Sequence, residues 1–280
     1  MHTTHRRSVL AGTALATMAL TFSGIGVAAG EVEGVPDAPS GYPELDQALA
    51  GELAGTKVII QTQYIEGGGD VFAQSLAPFE AATGIDIQLA AVPGGLHETQ
   101  VNVGLNGGSA ADIIQLAQPA AINRYGAEGL IEEVGSIIGN VEKLAAEQPV
   151  LGAYTDADGN IWGIPYQVST KSHVWYPIKA FEAAGYEVPT TWDELIDLSD
   201  QIVADGSNPW CISVEHGPVT GWVATDWVED VLLRTAGVDA YNAWLDGDLA
   251  FDSPELVEAL DTVGEIFFTP DYAYGGSTYI

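Results

Sequence analysis

The octapeptide Glu215-His216-Gly217-Pro218-Val219-Thr220-Gly221-Trp222 puts a carboxylate, an imidazole and an indole on a segment whose Gly and Pro dictate a loop. Packing a core does not require a Trp on such a loop, so the arrangement points to ligand contact. Aromatic faces stack on the apolar faces of pyranose rings, while carboxylates and amides take the ring hydroxyls. Trp175, Tyr176 and Trp227 flank the same region and could add further faces, although any single aromatic is more ordinarily a core residue.

Other candidate chemistry is weaker. Gly67-Gly68-Gly69 lies between an expected strand and an expected helix, but Phe72 stands where a dinucleotide fingerprint needs Gly, and no P-loop Lys follows. What survives is a helix N-terminus at the carboxyl end of a strand, the place where open α/β sheets bind ligands. Glu66 and Asp70 flank it as candidate hydroxyl acceptors; as a solvated charge and a helix cap they need no ligand. Asp156-Ala157-Asp158-Gly159-Asn160 misplaces the Gly of a calcium loop and has Gln167 in place of its final Glu, so it reads as a turn. His97, His173 and His216 lack paired ligand spacing, and the sequence calls for neither a metal nor a cofactor. There is no Gly-x-Ser-x-Gly elbow, and the carboxylates are too many for any pair to identify a glycosidase.

These residues need elements to hold them. Lys57 to Tyr64 reads as a strand, Asp70 as the N-cap of a helix ended by Gly84, and Ile85 to Val92 as a second strand. A helix over 97–105, a short strand over 112–117 and a helix opened by Pro119 come next. Asp158-Gly159 predicts a hairpin between 153–154 and 161–166, after which the chain stays extended to Trp175. A second series has a capping box at Thr191–Glu194, a strand over 210–214, a helix from Thr225 to Thr235 and another started by Ser253-Pro254. Alternating strands and helices predict doubly wound α/β lobes, here two of them: 55–167 and 168–280, joined near Gln167 to Lys171.

The 280 residues are 47% hydrophobic and carry 39 acidic against 8 basic side chains, a net charge of −31. Such a surface repels phosphate backbones and anionic headgroups, which excludes nucleic acid as the expected partner. Residues 1–29, with Arg6-Arg7 before an apolar run ending in Val27-Ala28-Ala29, read as an export leader; both the Sec and the twin-arginine routes fit. Residues 30–54 read as an acidic, Gly- and Pro-containing spacer leading into a short helix. The single Cys211 in an exported chain is buried, reactive, or separated from a partner.

From about Gly55 onward the chain resembles the extracellular solute-binding proteins of carbohydrate ABC importers, most of all the α-glucoside-binding type. The resemblance rests on Phe79-Glu80, Thr83-Gly84-Ile85 and Ala111-Asp112-Ile113-Ile114, and more narrowly on Lys171-Ser172, Val174-Trp175-Tyr176 and Phe181 to Pro189. Pro209-Trp210-Cys211-Ile212 and Gly221-Trp222 with Ala224 to Asp230 complete it. It implies a type II periplasmic-binding-protein fold, a sugar held between lobes without chemical change, the importer's membrane subunits as partners, and a monomer. It also implies Gln118 on a first-lobe ligand loop, Lys171 at the crossover, Glu215 and Trp222 on a second-lobe loop, Asp226 at a helix start, and Gly275-Gly276 on a further cleft-facing loop. Glu215-His216 departs from the small or polar residues expected there. The family continues beyond the position of Ile280, which implies a missing C-terminal part and a distant Cys as partner for Cys211. A secreted glycoside-active enzyme, or the same fold holding another polyol or oligosaccharide, stays open at this point.

Overall fold

The computed structural model describes residues 34–167, 169–171 and 173–276; the leader assigned to 1–29 lies outside them. Three parallel strands form the sheet: β1 (Lys57–Thr62), β2 (Asp86–Ala91) and β3 (Ile113–Ile114), in the order β2-β1-β3. The register pairs Lys57 with Asp86 and Ile60 with both Leu89 and Ile113. Helix α1 (Pro43–Leu49) precedes the sheet, α2 (Glu66–Thr83) links β1 to β2, and α3 (Gly94–Gly107) links β2 to β3. The two crossovers step in opposite directions along the sheet, so right-handed connections place α2 and α3 on opposite faces. Because all strands run the same way, the segments after Thr62, Ala91 and Ile114 leave from one edge. The order reverses between β1 and β3, and that switch point is where such sheets form a ligand crevice.

Helices α4 (Pro119–Ala127) and α5 (Val141–Glu147) come next, with short 3-10 turns at 134–136 and 151–154. Val134, Leu144, Leu151 and Ile161 make a small core there, with Tyr42, Ile138 and Val141 packed against it. The expected hairpin closes as a single antiparallel bridge, Thr155 to Ile161, rather than as two strands. Residues 151–154, which take in the expected first strand, coil into a 3-10 turn and cannot extend the pairing, while Asp156 holds the turn itself. Its carboxylate accepts from the Asp158 and Asn160 amides at 2.9 Å each, from Asn160 Nδ2 at 2.9 Å and from Trp162 Nε1 at 2.8 Å. Side-chain bonding of this kind fastens the turn and takes no donor from the flanking pairing, where the Trp162 amide donates to the Tyr154 carbonyl at 2.9 Å.

The helices α6 (Ile178–Ala184), α7 (Trp192–Ala204), α8 (Trp222–Thr235), α9 (Gly237–Leu245) and α10 (Pro254–Phe267) complete the described chain. Thr191 and Glu194 form the capping box, and Ser253 accepts from the Leu256 amide ahead of α10. Leu232, Leu256 and Ile266 are wholly buried between α8 and α10. The strand expected over 210–214 reduces to a parallel bridge, Trp210 to Ala273, because 272–274 is the one neighbour it pairs with among the described residues. Two helix starts also move. Helix α8 begins at Trp222 rather than Thr225, and α2 begins at Glu66, so the glycine triad lies in its first turn and Asp70 is not its N-cap. Ile65 holds the cap position without a side-chain bond, and Glu66 sits at φ 48°, in the left-handed region.

Trp162 lies across buried Gly126 of α4, and a Cβ at 126 would overlap the indole. Glycine to alanine ordinarily stabilises a helix by about 0.5–1 kcal/mol. Here Gly126→Ala is expected to cost ~1–3 kcal/mol through overpacking, a fall in Tm of roughly 2–4 °C per kcal/mol; a thermal melt reads the sign. Asp156 supplies a second test. Bonds first from Asn160 and then from Trp162 hold its carboxyl well below 3.8, at about 2. A depressed carboxylate stabilises the fold above its unfolded value and loses that contribution as pH falls through the window from about 4 to 2. Asp156→Asn should therefore lower Tm at neutral pH, with the gap to wild type closing across that window.

Candidate functional site

One wall is built at the carboxyl edge of the sheet. Gln115 Oε1 accepts from the buried Thr62 hydroxyl and, at 3.3 Å, from the Gln63 amide, while the Gln115 amide donates to the Gln61 carbonyl at 3.0 Å. Thr62 Oγ1 in turn accepts from the Tyr64 amide at 3.1 Å. On α3, buried His97 places Nε2 at 2.7 Å from the Gln115 carbonyl; a carbonyl only accepts, so that nitrogen carries the proton. The loops at 63–66 and 115–118 are thereby tied together. From this base Tyr64 packs edge-on against Phe72 (5.7 Å between centroids), and Phe72 packs against Tyr166 (5.8 Å). The Tyr166 hydroxyl lies 2.9 Å from that of Tyr64 and 3.4 Å from Gln167 Oε1. Burial, then the Tyr64 hydroxyl, push the Tyr166 phenol up, so it remains a neutral donor and acceptor. Sequence reasoning missed Tyr64 and Tyr166, and read Phe72 as the break in a dinucleotide fingerprint, not as a site residue. The available signal was position: one Tyr just past a strand end, the other just before the expected crossover.

The second wall gathers Lys171, Trp222 and Asp226. Trp222 and Asp226 stand one turn apart on α8, hence on one face. Lys171 Nζ lies 2.7 Å from Asp226 Oδ2 and 4.9 Å from the Trp222 ring centroid. Both partners are solvent-accessible, so the ion pair is worth no more than ~1 kcal/mol, and its main effect is orientation. Trp222 is 44% exposed, anchored yet open to a ligand. The preceding loop is closed on itself: Glu215 accepts from the Gly217 amide (2.9 Å), His216 donates its amide to Thr220 Oγ1 (2.9 Å), and the Gly221 amide reaches the Val214 carbonyl (2.9 Å). Gly221 at φ 104° makes the turn into α8. From this loop the His216 imidazole reaches across to Gly94 at the start of α3.

The remaining expected residues divide. Glu66, Asp70 and Gln118 are exposed at the sheet edge; Gln118 holds the N-cap position of α4 without a capping bond, leaving its amide available. Trp175 is 90% exposed, with its ring 6.1 Å from His173, and Gly275 and Gly276 form a left-handed turn just past Ala273. Neither Trp175 nor the glycine pair joins the Lys171 group through a hydrogen bond or ring contact among the described residues. Trp227 is a core residue, edge-on to Trp210 at 5.6 Å and to Phe267 at 5.5 Å. Cys211 is exposed. A groove of about 370 Å³ opens elsewhere, lined by Tyr42, Glu44, Leu45, Ile138, Leu144 and Glu147 among others. Its carboxylates are already engaged, Glu44 by the Gly139 amide and Glu147 by Tyr42 and Lys143, so it is a packing feature. Among the described residues no His/Cys/Asp/Glu group could hold a metal, and no helix is long and apolar enough to cross a membrane.

Residues 63–277 match the family described as bacterial extracellular solute-binding protein. The chain is 37% identical over 203 residues to the osmoprotective compounds-binding protein GgtB of Synechocystis sp., covering 72% of this chain and 48% of that protein. It is 34% identical over 216 residues to the alpha-glucosides-binding periplasmic protein AglE of Rhizobium meliloti, covering 75% and 47%. The chain therefore spans about half the length of the curated relatives it matches. The solved structure of a chitin oligosaccharide binding protein superposes with a TM-score of 0.61 at 22% identity, over 79% of this chain and 56% of that one. That likeness concerns the fold, which is the α/β type II periplasmic-binding-protein class. With the family match covering most of its length and two relatives above 30% identity, the chain belongs to the bacterial extracellular solute-binding proteins.

Proposed function

We propose that the protein is the exported substrate-binding component of a carbohydrate ABC importer, holding an α-glucoside or related oligosaccharide between two lobes and performing no chemistry on it. The lobes are 55–167 and 168–280, with the crossover at Gln167 to Lys171. One observation carries the reading: the crossover has Tyr166 and Gln167, bonded into the first wall, at one end, and Lys171, bonded into the second, at the other. A ligand between the walls thus touches groups fixed to both sides of the bend. It binds the closed arrangement better than the open one and shifts the population toward it. The membrane subunits of the importer would read the closed state.

Trp222 would stack on the apolar face of a pyranose, and Lys171 and Asp226 would reach its equatorial hydroxyls. Glu66, Asp70, Gln118 and Glu215 supply acceptors and an amide from the rims, with Trp175 and the Gly275-Gly276 turn as outer contacts. The name of one curated relative, an alpha-glucosides-binding protein, supports an α-glucoside as ligand. The net charge of −31 agrees, since it disfavours anionic solutes. A leader over 1–29 would direct the chain out of the cytoplasm.

Trp222→Ala should weaken binding in a calorimetric titration against a sugar panel by about 10–100-fold, the loss of one stacked aromatic face, with little change in Tm. Unchanged affinity would show that the site is assigned to the wrong residues.

A further inference from the structure

An aromatic face beside a carboxylate is an arrangement that suits methylated ammonium groups: the ring quadrupole attracts the cation and the carboxylate balances its charge. Trp222 and Asp226 make that arrangement on one face of α8, with the indole 44% exposed. The chain around them carries 39 acidic side chains against 8 basic ones, and a field of that sign gathers cations at the surface. Left bare, the pair is a site for a cationic solute.

It is not bare. Lys171 Nζ sits 4.9 Å from the Trp222 ring centroid and 2.7 Å from Asp226 Oδ2, so it takes both partners that a ligand ammonium would seek. The two charged side chains stay accessible, Lys171 at 54% and Asp226 at 32%. Burial therefore does not keep a small solute out; the tethered cation does. A group on a short tether acts at an effective concentration in the millimolar range, and a free ammonium solute must displace it before it can bind. A neutral glycoside does not compete for the charge. Its hydroxyls accept from the ammonium and donate to the carboxylate with the ion pair intact.

We propose that Lys171 is a specificity-determining residue that acts as a built-in cation: by occupying the Trp222 face and the Asp226 carboxylate, it bars methylated ammonium solutes from a site that otherwise suits them. This rests on the reading of Trp222 and Asp226 as ligand-facing. It goes beyond that reading by naming a class of solute that the site rejects and the group that rejects it.

The test is a proton NMR titration of tetramethylammonium and of choline into wild type, Lys171→Met and Lys171→Arg, with the neutral tert-butyl isostere of choline as control. Lys171→Met should bind both cations at least about tenfold more tightly than wild type. Their methyl signals should move upfield, the mark of a position over an aromatic face. Lys171→Arg should behave as wild type, since a guanidinium also stacks on a ring and pairs with a carboxylate. The neutral isostere should show no gain, and adding Trp222→Ala to Lys171→Met should abolish it, which separates this site from general attraction of cations to an acidic surface. Lys171→Met that binds the cations no better than wild type, or a gain that survives Trp222→Ala, overturns the proposal. A parallel titration with an α-linked glucose disaccharide keeps the two readings apart. Wild type that binds no sugar overturns the proposed function, whereas an unchanged ammonium profile in Lys171→Met overturns only the exclusion.

Discussion

A single buried amide oxygen, Gln115 Oε1, holds the carboxyl edge of the sheet in place. Strand β3 is only two residues long, too short a ladder to fix the loop at its end. The constraint comes instead from the Thr62 hydroxyl and the Gln63 amide converging on that oxygen, and from His97 bound to the backbone carbonyl of the same residue. Stranding a buried acceptor costs about 1–3 kcal/mol, so the loops at 63–66 and 115–118 are held in one relative position. Tyr64, Glu66 and Gln118 inherit that placement. So does Gly94, which starts the helix on which His97 sits.

Charge sets the second constraint. With few cations in the chain, Lys171 is committed to Asp226 and to the face of Trp222. This local neutralisation lets a carboxylate-rich site present an aromatic face and hydrogen-bonding groups without a strong field of its own. Under the proposed function, such a surface suits a neutral polyhydroxylated ligand better than an anion.

Much of the scaffold was legible because its signals are local. The Thr191–Glu194 box, Ser253-Pro254, Pro119 and the terminating Gly84 act within a turn of where they stand, and the helices start or stop there. Expectations failed where distant groups decide. The hairpin became one bridge because 151–154 coils into a 3-10 turn and leaves no first strand to pair. The strand after Pro209 shrank because a strand needs a neighbour, and only 272–274 supplies one among the described residues. In the site, the loop carrying Glu215 and Trp222 was readable from Gly and Pro. Lys171 and Asp226 came singly from family resemblance; their ion pair came from neither, nor did the Tyr64–Phe72–Tyr166 group, which joins residues a hundred positions apart. Trp222 and Trp227 look alike in sequence; helix geometry sends one to solvent and the other into the core.

The central claim is that two walls bend toward one another around the segment at 167–171 when a sugar touches both. Small-angle X-ray scattering of the mature protein, with and without a saturating α-glucoside, measures this directly. A smaller radius of gyration on sugar addition, abolished when Trp222 is removed, is the predicted result. Binding confirmed by calorimetry with no change in radius of gyration would contradict the account.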